Sequence, residues 1–227
     1  MKSLPLFIFL FTAMSLTAQT HPTEPLVHVT GKGVVKVTPD QVVIKVRVES
    51  EGKDVVAVKN ENDASINAVI KFLRSQGLAS EDVRTEYINL NKNYDYNSKT
   101  YSYKANQSLT ILLKDITQYE GIISGLLNSG INRIDGVQFM SSQAATLQQE
   151  ARVKAILDAK KRAETYAEAL GQSIGKAVVI SEASANVPSP QLRSANFAME
   201  SSDAGGETMA PGELSITVMI SASFELK

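Results

Sequence analysis

Apolar and polar residues alternate along this chain in stretches whose period changes from two residues to about four and back. In Leu26–Val37 (LVHVTGKGVVKV), Val27, Val29, Val35 and Val37 are separated by polar residues or glycine, the period of a half-buried strand. Thr38-Pro39-Asp40 reads as a turn, because proline fixes φ and aspartate bonds nearby backbone. Gln41–Gly52 alternates again through Val42, Ile44, Val46 and Val48, so the two strands are expected to form a hairpin. Asp54 is placed to cap a helix over 54–76 that Gly77 stops, with Ile66, Val69, Ile70 and Leu73 on its buried face. Strands over 83–96 and 100–113 form a second hairpin around Asn97-Ser98-Lys99.

Asp115 caps a second helix over 115–129, which Gly130 ends, and 134–140 is a short strand. The longest helix spans 142–170 and closes at Gly171; at 1.5 Å per residue it is about 43 Å long, more than a small domain is wide. A strand over 176–184 follows, then a Pro-, Ser-, Gly- and Ala-rich stretch over 186–212 that reads as a long mobile loop. Leu214, Ile216, Val218 and Ile220 mark a closing strand over 213–226. The order ββαββαβαββ predicts an α+β fold, with a largely antiparallel sheet and helices on one face. Helix, glycine, strand recurs at Gly77, Gly130 and Gly171, but with too little sequence likeness to define a repeat.

The first residues carry a different pattern. Lys2 precedes an apolar run over 4–16 of about 13 residues, short of the roughly 20 that span a bilayer. Small residues follow, so 1–18 is expected to be a signal peptide cleaved after Ala18, with 19–25 a flexible leader and 26–227 one domain. Cysteine is absent, which excludes a disulfide framework, a thiolate nucleophile and the lipid anchor of a lipoprotein. The 23 basic and 24 acidic side chains leave a net charge of -1, which gives no reason to expect nucleic acid or an anionic membrane as partner.

Candidate chemistry is sparse. Gly31-Lys32-Gly33 lacks the spacing and the strand-to-helix context of a phosphate loop, and reads better as a strand bulge or a close backbone approach. His21 and His28, the two histidines, have no partners at metal-ligand spacing. No Ser–His–acid grouping stands on a nucleophile elbow. Glu49 with Glu51, and Glu164 with Glu168, share faces but sit among lysines and arginines as solvated charges rather than an acid–base pair. No catalytic, cofactor or metal residue is assigned, and Asn106-Gln107-Ser108 is an incidental sequon.

Two features point to surfaces. Ala151, Ala155, Ala159, Ala163 and Ala167 recur at every fourth position of the long helix, flanked by the favourable pairs Glu150–Lys154 and Asp158–Arg162. That stripe packs on the chain's own sheet or, if the helix overhangs, on a second subunit. Tyr94 and Tyr96, and Tyr101 and Tyr103, share faces of the second hairpin near Tyr87, for cross-strand stacking or as an aromatic platform for a subunit or polysaccharide. These nine residues, the five alanines and Tyr94, Tyr96, Tyr101 and Tyr103, are the candidate oligomer interface. Met199 and Met209, in the predicted loop, are candidates for reversible oxidation.

VTGKGVVKVTPD, the tyrosine hairpin, EARVKAILDAKKRAETYAEALGQSIG and PGELSITVMISASFEL, taken in order, resemble the SIMPL-domain family of YggE-like bacterial periplasmic proteins, over nearly all of 27–226. The resemblance implies export, an α+β fold, a tendency to form large ring-like homo-oligomers, and an association with stress tolerance; peripheral association with the outer membrane or an envelope polymer is a separate expectation. It carries no enzymatic activity, catalytic motif or cofactor.

Overall fold

The first two strands alternate alike but part company. The computed structural model describes residues 25–182 and 211–227, and the elements below belong to those residues. Strand β1 (Leu26–Val37) and β2 (Gln41–Gly52) do not pair with each other, which corrects the expected first hairpin. A three-residue hairpin loop needs a left-handed residue, and none of Thr38, Pro39 and Asp40 has a positive φ. Asp40 reaches far along the chain instead. Its N–H donates to the Met140 carbonyl (3.1 Å), and its carboxylate accepts the Ser142 N–H at 2.7 Å and the Ser142 hydroxyl.

The chain then builds two sheets where one was expected. In the central stretch, helix α1 (Val55–Ser75) follows β2, with the Asp54 carboxylate accepting the Ala57 N–H at 2.7 Å. Next come β3 (Val83–Thr85), β4 (Asn89–Asp95) and β5 (Thr100–Leu113), then α2 (Tyr119–Asn128) and β6 (Arg133–Met140). β5 pairs antiparallel with β2, β2 with β6, and β3 and β4 lie end to end along β5. The strand expected over 83–96 is thus two strands. Their register on β5 slips by one residue across 86–88, where the Gln107 side chain donates to the Glu86 carbonyl (2.7 Å). The β4–β5 hairpin does form, and Lys99 takes the left-handed conformation (φ 53°) that the first turn lacks.

Helix α3 (Ala144–Ala169), β7 (Ile174–Glu182) and β8 (Leu214–Leu226) complete the second sheet, in the order β1-β8-β7 and antiparallel throughout. At 26 residues and 1.5 Å each, α3 is about 39 Å long. The 12 residues of β1 at about 3.3 Å each come to about 40 Å. The helix therefore matches the strands beneath it and does not overhang them. Among the described residues no helix is long and apolar enough to cross a membrane. The expected signal peptide, most of the leader, and the loop over 186–212 with its methionines lie outside the described residues, save Pro25, Pro211 and Gly212.

The two sheets repeat one plan. β2-α1-β3/β4-β5 and β1-α3-β7-β8 are both strand–helix–strand–strand units, and in both the third strand lies between the other two. Both helices stop at a glycine of positive φ, Gly77 (83°) and Gly171 (70°), where a side chain would be strained. The central unit adds α2 and β6, and it is inserted between β1 and α3 of the terminal unit.

Their cores differ in kind. The central unit buries branched side chains, among them Ile44, Val46, Leu73, Leu109 and Ile111, with α1 and α2 on one face of the sheet. Within it Asn62 of α1 donates to the Val48 carbonyl (3.2 Å). The terminal unit packs Ala151, Ala155, Ala159 and Ala163 of α3 on Val35, Val218, Ala222 and their neighbours, and Ala167 of the same helix is buried as well.

Candidate functional site

Small residues on both sides bring α3 down onto β1. A Cβ built on Gly31 would lie 2.0 Å from the Ala155 carbonyl oxygen, and one on Gly33 would lie 1.9 Å from that of Ala151. The glycines therefore serve the close backbone approach read from the sequence. This contact also reaches the outer edge of β1, because the Lys32 N–H donates to the Asp158 carboxylate (2.8 Å), which takes Arg162 Nε at 2.9 Å as well. An edge strand's unpaired amide is covered by the helix above it.

The lowered carboxyl of Asp158 follows from that geometry: first the Lys32 N–H, then the charge of Arg162 beside it, hold it below its ordinary value. A carboxyl with a folded-state pKa below its unfolded one stabilises the fold above the ordinary range, and the contribution fades as pH falls through the lowered value. Asp158→Asn is accordingly expected to melt below the parent at neutral pH, with the gap closing in acid. Calorimetry across that range checks this, and a gap that widens in acid would contradict it.

Burial corrects one half of the candidate interface. Ala151, Ala155, Ala159, Ala163 and Ala167 are each 0% exposed within this chain, facing its own sheet, so they offer no surface to a second copy. What α3 does present is a strip the sequence reading passed over. Val153, Ile156 and Leu157 are 57%, 41% and 59% exposed, with Tyr166 and Leu170 also exposed towards the C-terminal end. Their spacing of three and four residues was visible, but the alanine repeat, more regular, drew the assignment of the buried face. Arg152 beside this strip ties α3 to β7 through Glu182 (2.8 Å).

The other half, the tyrosine hairpin, is a surface. On β4 and β5, Tyr94 faces Tyr101 and Lys92 faces Tyr103 across the ladder, so they share one side with Leu90 and the buried Ala105. Tyr94 and Tyr101 rings lie 4.8 Å apart and tilted, Tyr94 and Tyr96 5.0 Å apart and edge-on, and Lys92 Nζ sits 4.0 Å over the Tyr101 ring. Cross-strand stacking therefore holds, and Tyr96 is still 83% exposed. The opposite side of the ribbon carries Asn89, Asn91, Asn93, Ser102 and Lys104. One side of the hairpin thus extends the sheet's apolar face with tyrosines, and the other is polar.

The reactive candidates resolve into structural contacts. Glu49 accepts from Lys104 (3.1 Å), and with Arg133 and Arg47 each 3.4 Å away its carboxyl is held low, first by Lys104, where a general acid requires a raised value. Glu51 accepts the Ser102 hydroxyl (3.0 Å), and Glu164 pairs with Lys160 (3.7 Å). His28 Nδ1 lies 2.7 Å from Ser223 Oγ, its cross-strand neighbour, beside an open groove of about 220 Å³ that Thr30, Ser181 and Ser221 also line. Sequence reasoning missed this pair, because Ser223 is 195 residues away and only the β1–β8 register joins them. His21 lies outside the described residues. Among those residues no three His, Cys, Asp or Glu side chains are grouped to hold a metal ion.

Comparison with known proteins matches residues 27–224 to the SIMPL family model, described as a protein of unknown function (DUF541). The chain is 26% identical over 216 residues to the 26 kDa periplasmic immunogenic protein of Brucella melitensis, covering 90% of this chain and 86% of that one. It is 24% identical over 186 residues to the uncharacterized protein YggE of Escherichia coli K12, covering 80% and 76%. Over 173 residues it is 24% identical to the interleukin-1 receptor-associated kinase 1-binding protein 1 of Mus musculus, covering 73% and 62%.

Proposed function

The chain belongs to the SIMPL family, and on that premise we propose that it is an exported, non-enzymatic protein of the bacterial periplasm or envelope that works as a homo-oligomeric scaffold and supports stress tolerance. One observation carries the assembly. Helix α3 turns its alanines inward and leaves Val153, Ile156 and Leu157 in solvent, the reverse of what a helix serving only its own core does. An apolar strip rimmed by charge, here Arg152, Lys154, Asp158 and Lys160, has the composition of a protein contact. The periplasmic location is supported by the Brucella relative's name and by the charge, apolar run and small residues that open the sequence.

Light scattering on the mature chain after gel filtration tests the reading, which predicts an oligomer at micromolar concentration that Leu157→Lys dissociates. Leu157 is exposed, so the monomer should keep its melting temperature. A parent protein that elutes as a monomer removes the scaffold reading.

The second reading, a binding module for a small ligand or an envelope polymer, rests on the exposed Tyr96 and Tyr101 beside Lys92. Glycans or peptidoglycan fragments that raise the melting temperature of the parent but not of Tyr101→Ala favour it. If no such compound shifts the parent, it has no support.

A further inference from the structure

Among the described residues, the terminal and central units meet across very little. Between those residues every extensive packing contact runs within one unit: β1 with β8 and α3, β7 with β8, β2 with β5 and β6, α1 with β2 and β5. The buried clusters divide the same way, one drawn from the central unit and two from the terminal one. Ion pairs such as Lys36–Glu213 and Arg152–Glu182, or Arg47–Asp135 and Lys104–Glu49, also stay inside their units. The backbone crosses between the units twice, through residues 38–40 and 141–143. Two bodies with separate cores and a small shared interface move relative to one another unless something at the crossing prevents it.

At this crossing that something is Asp40. It is the last residue of the first connection: its N–H donates to the Met140 carbonyl at the end of β6 (3.1 Å), and its carboxylate binds the second connection at two points, accepting the Ser142 N–H (2.7 Å) and hydroxyl. Two charge-assisted bonds from one carboxylate to consecutive groups of one residue fix direction as well as distance. Pro39 beside it is buried and has no rotation about φ, so Asp40 enters from a stiff support.

We propose that residues 38–40 and 141–143 form a hinge between the two strand–helix–strand–strand units, and that the Asp40–Ser142 clasp holds it at one angle. The chain has no cysteine, so pairs of introduced cysteines report on this directly. Spin labels at Lys71→Cys on α1 and Lys154→Cys on α3 span the units, and labels at Lys45→Cys and Lys71→Cys lie within the central one. Pulsed electron resonance on full mature chain, diluted into unlabelled protein, gives both distance distributions.

With the clasp intact both are expected to be narrow. In Asp40→Ala with Ser142→Ala, the spanning distribution broadens about twofold or more while the internal one stays unchanged, as hinge motion requires. If the spanning distribution does not change, or is already broad with the clasp intact, the proposal is overturned. If the internal distribution broadens too, the doubly substituted chain has lost its fold. Ser142→Ala alone, which removes one of the two bonds, then decides by the same comparison.

Discussion

Gly33→Ala is expected to destabilise the protein by about 3 kcal/mol or more, the upper end for overpacking, because the new Cβ meets backbone rather than a side chain that can turn away. Its nearest atoms would be the Ala151 carbonyl oxygen at 1.9 Å and the Ala155 nitrogen at 2.6 Å, so α3 must lift from β1 along several residues. For a chain of this size that corresponds to a fall in Tm of roughly 10 °C. The backbone origin has a corollary. Ala155→Gly in the same chain should not restore the loss, since the atoms struck are shared by every residue type. A Gly33→Ala protein that melts with the parent, or one that Ala155→Gly rescues, would show that the helix is not seated as described.

Leu109→Ala should cost about 2–5 kcal/mol for a different reason, the cavity it leaves. Leu109 is fully buried in β5, in the core of the central unit with Ile44, Val46 and Leu73. Chemical denaturation read by intrinsic tyrosine fluorescence measures it, and a loss under about 1 kcal/mol would mean that the site collapses around the vacancy. The two substitutions bracket two ways of joining a helix to a sheet. The central unit fills a wide gap with branched side chains and suffers from removal. The terminal unit closes a narrow gap with glycine and alanine and suffers from addition.

Where the strands face was legible in the sequence; what they pair with was legible only for the β4–β5 hairpin. Alternation marked Val42, Ile44, Val46 and Val48 as one buried face, and they are. Periodicity of two residues carries no information on the neighbour, however, and the nearest strand in sequence was the wrong one for β1. The turn gave only a weak clue: Thr38 and Pro39 do not suit a positive φ, but Asp40 tolerates one, and only the structure shows that it does not take it. Caps and stops at Asp54, Gly77, Gly130 and Gly171 were readable because they act over a few residues. The alanine repeat was read correctly as a ridge for close packing. Which way it faced depended on Gly31 and Gly33, more than a hundred residues earlier. The tyrosine contacts came through because one tight hairpin makes them local. The His28–Ser223 pair and the Asp40 clasp depend on register between distant strands and had no local signal.

The insertion of one unit into the other also sets the order in which strand partners become available as the chain emerges, N-terminus first, into the compartment where it folds. β1 emerges among the first described residues, and its ladder partner, β8, is the last strand made. Residues 41–140 are contiguous and can complete their own sheet in the meantime. Throughout that interval β1 is an orphan, and nascent strands with bare edges recruit the wrong neighbours. Lys32 and Lys36 interrupt its apolar run, and Gly31 and Gly33 lower its β-propensity. A bulky residue in the GKG that seats the helix is therefore expected to act twice, raising aggregation of the unfolded chain and unseating the helix in the folded one.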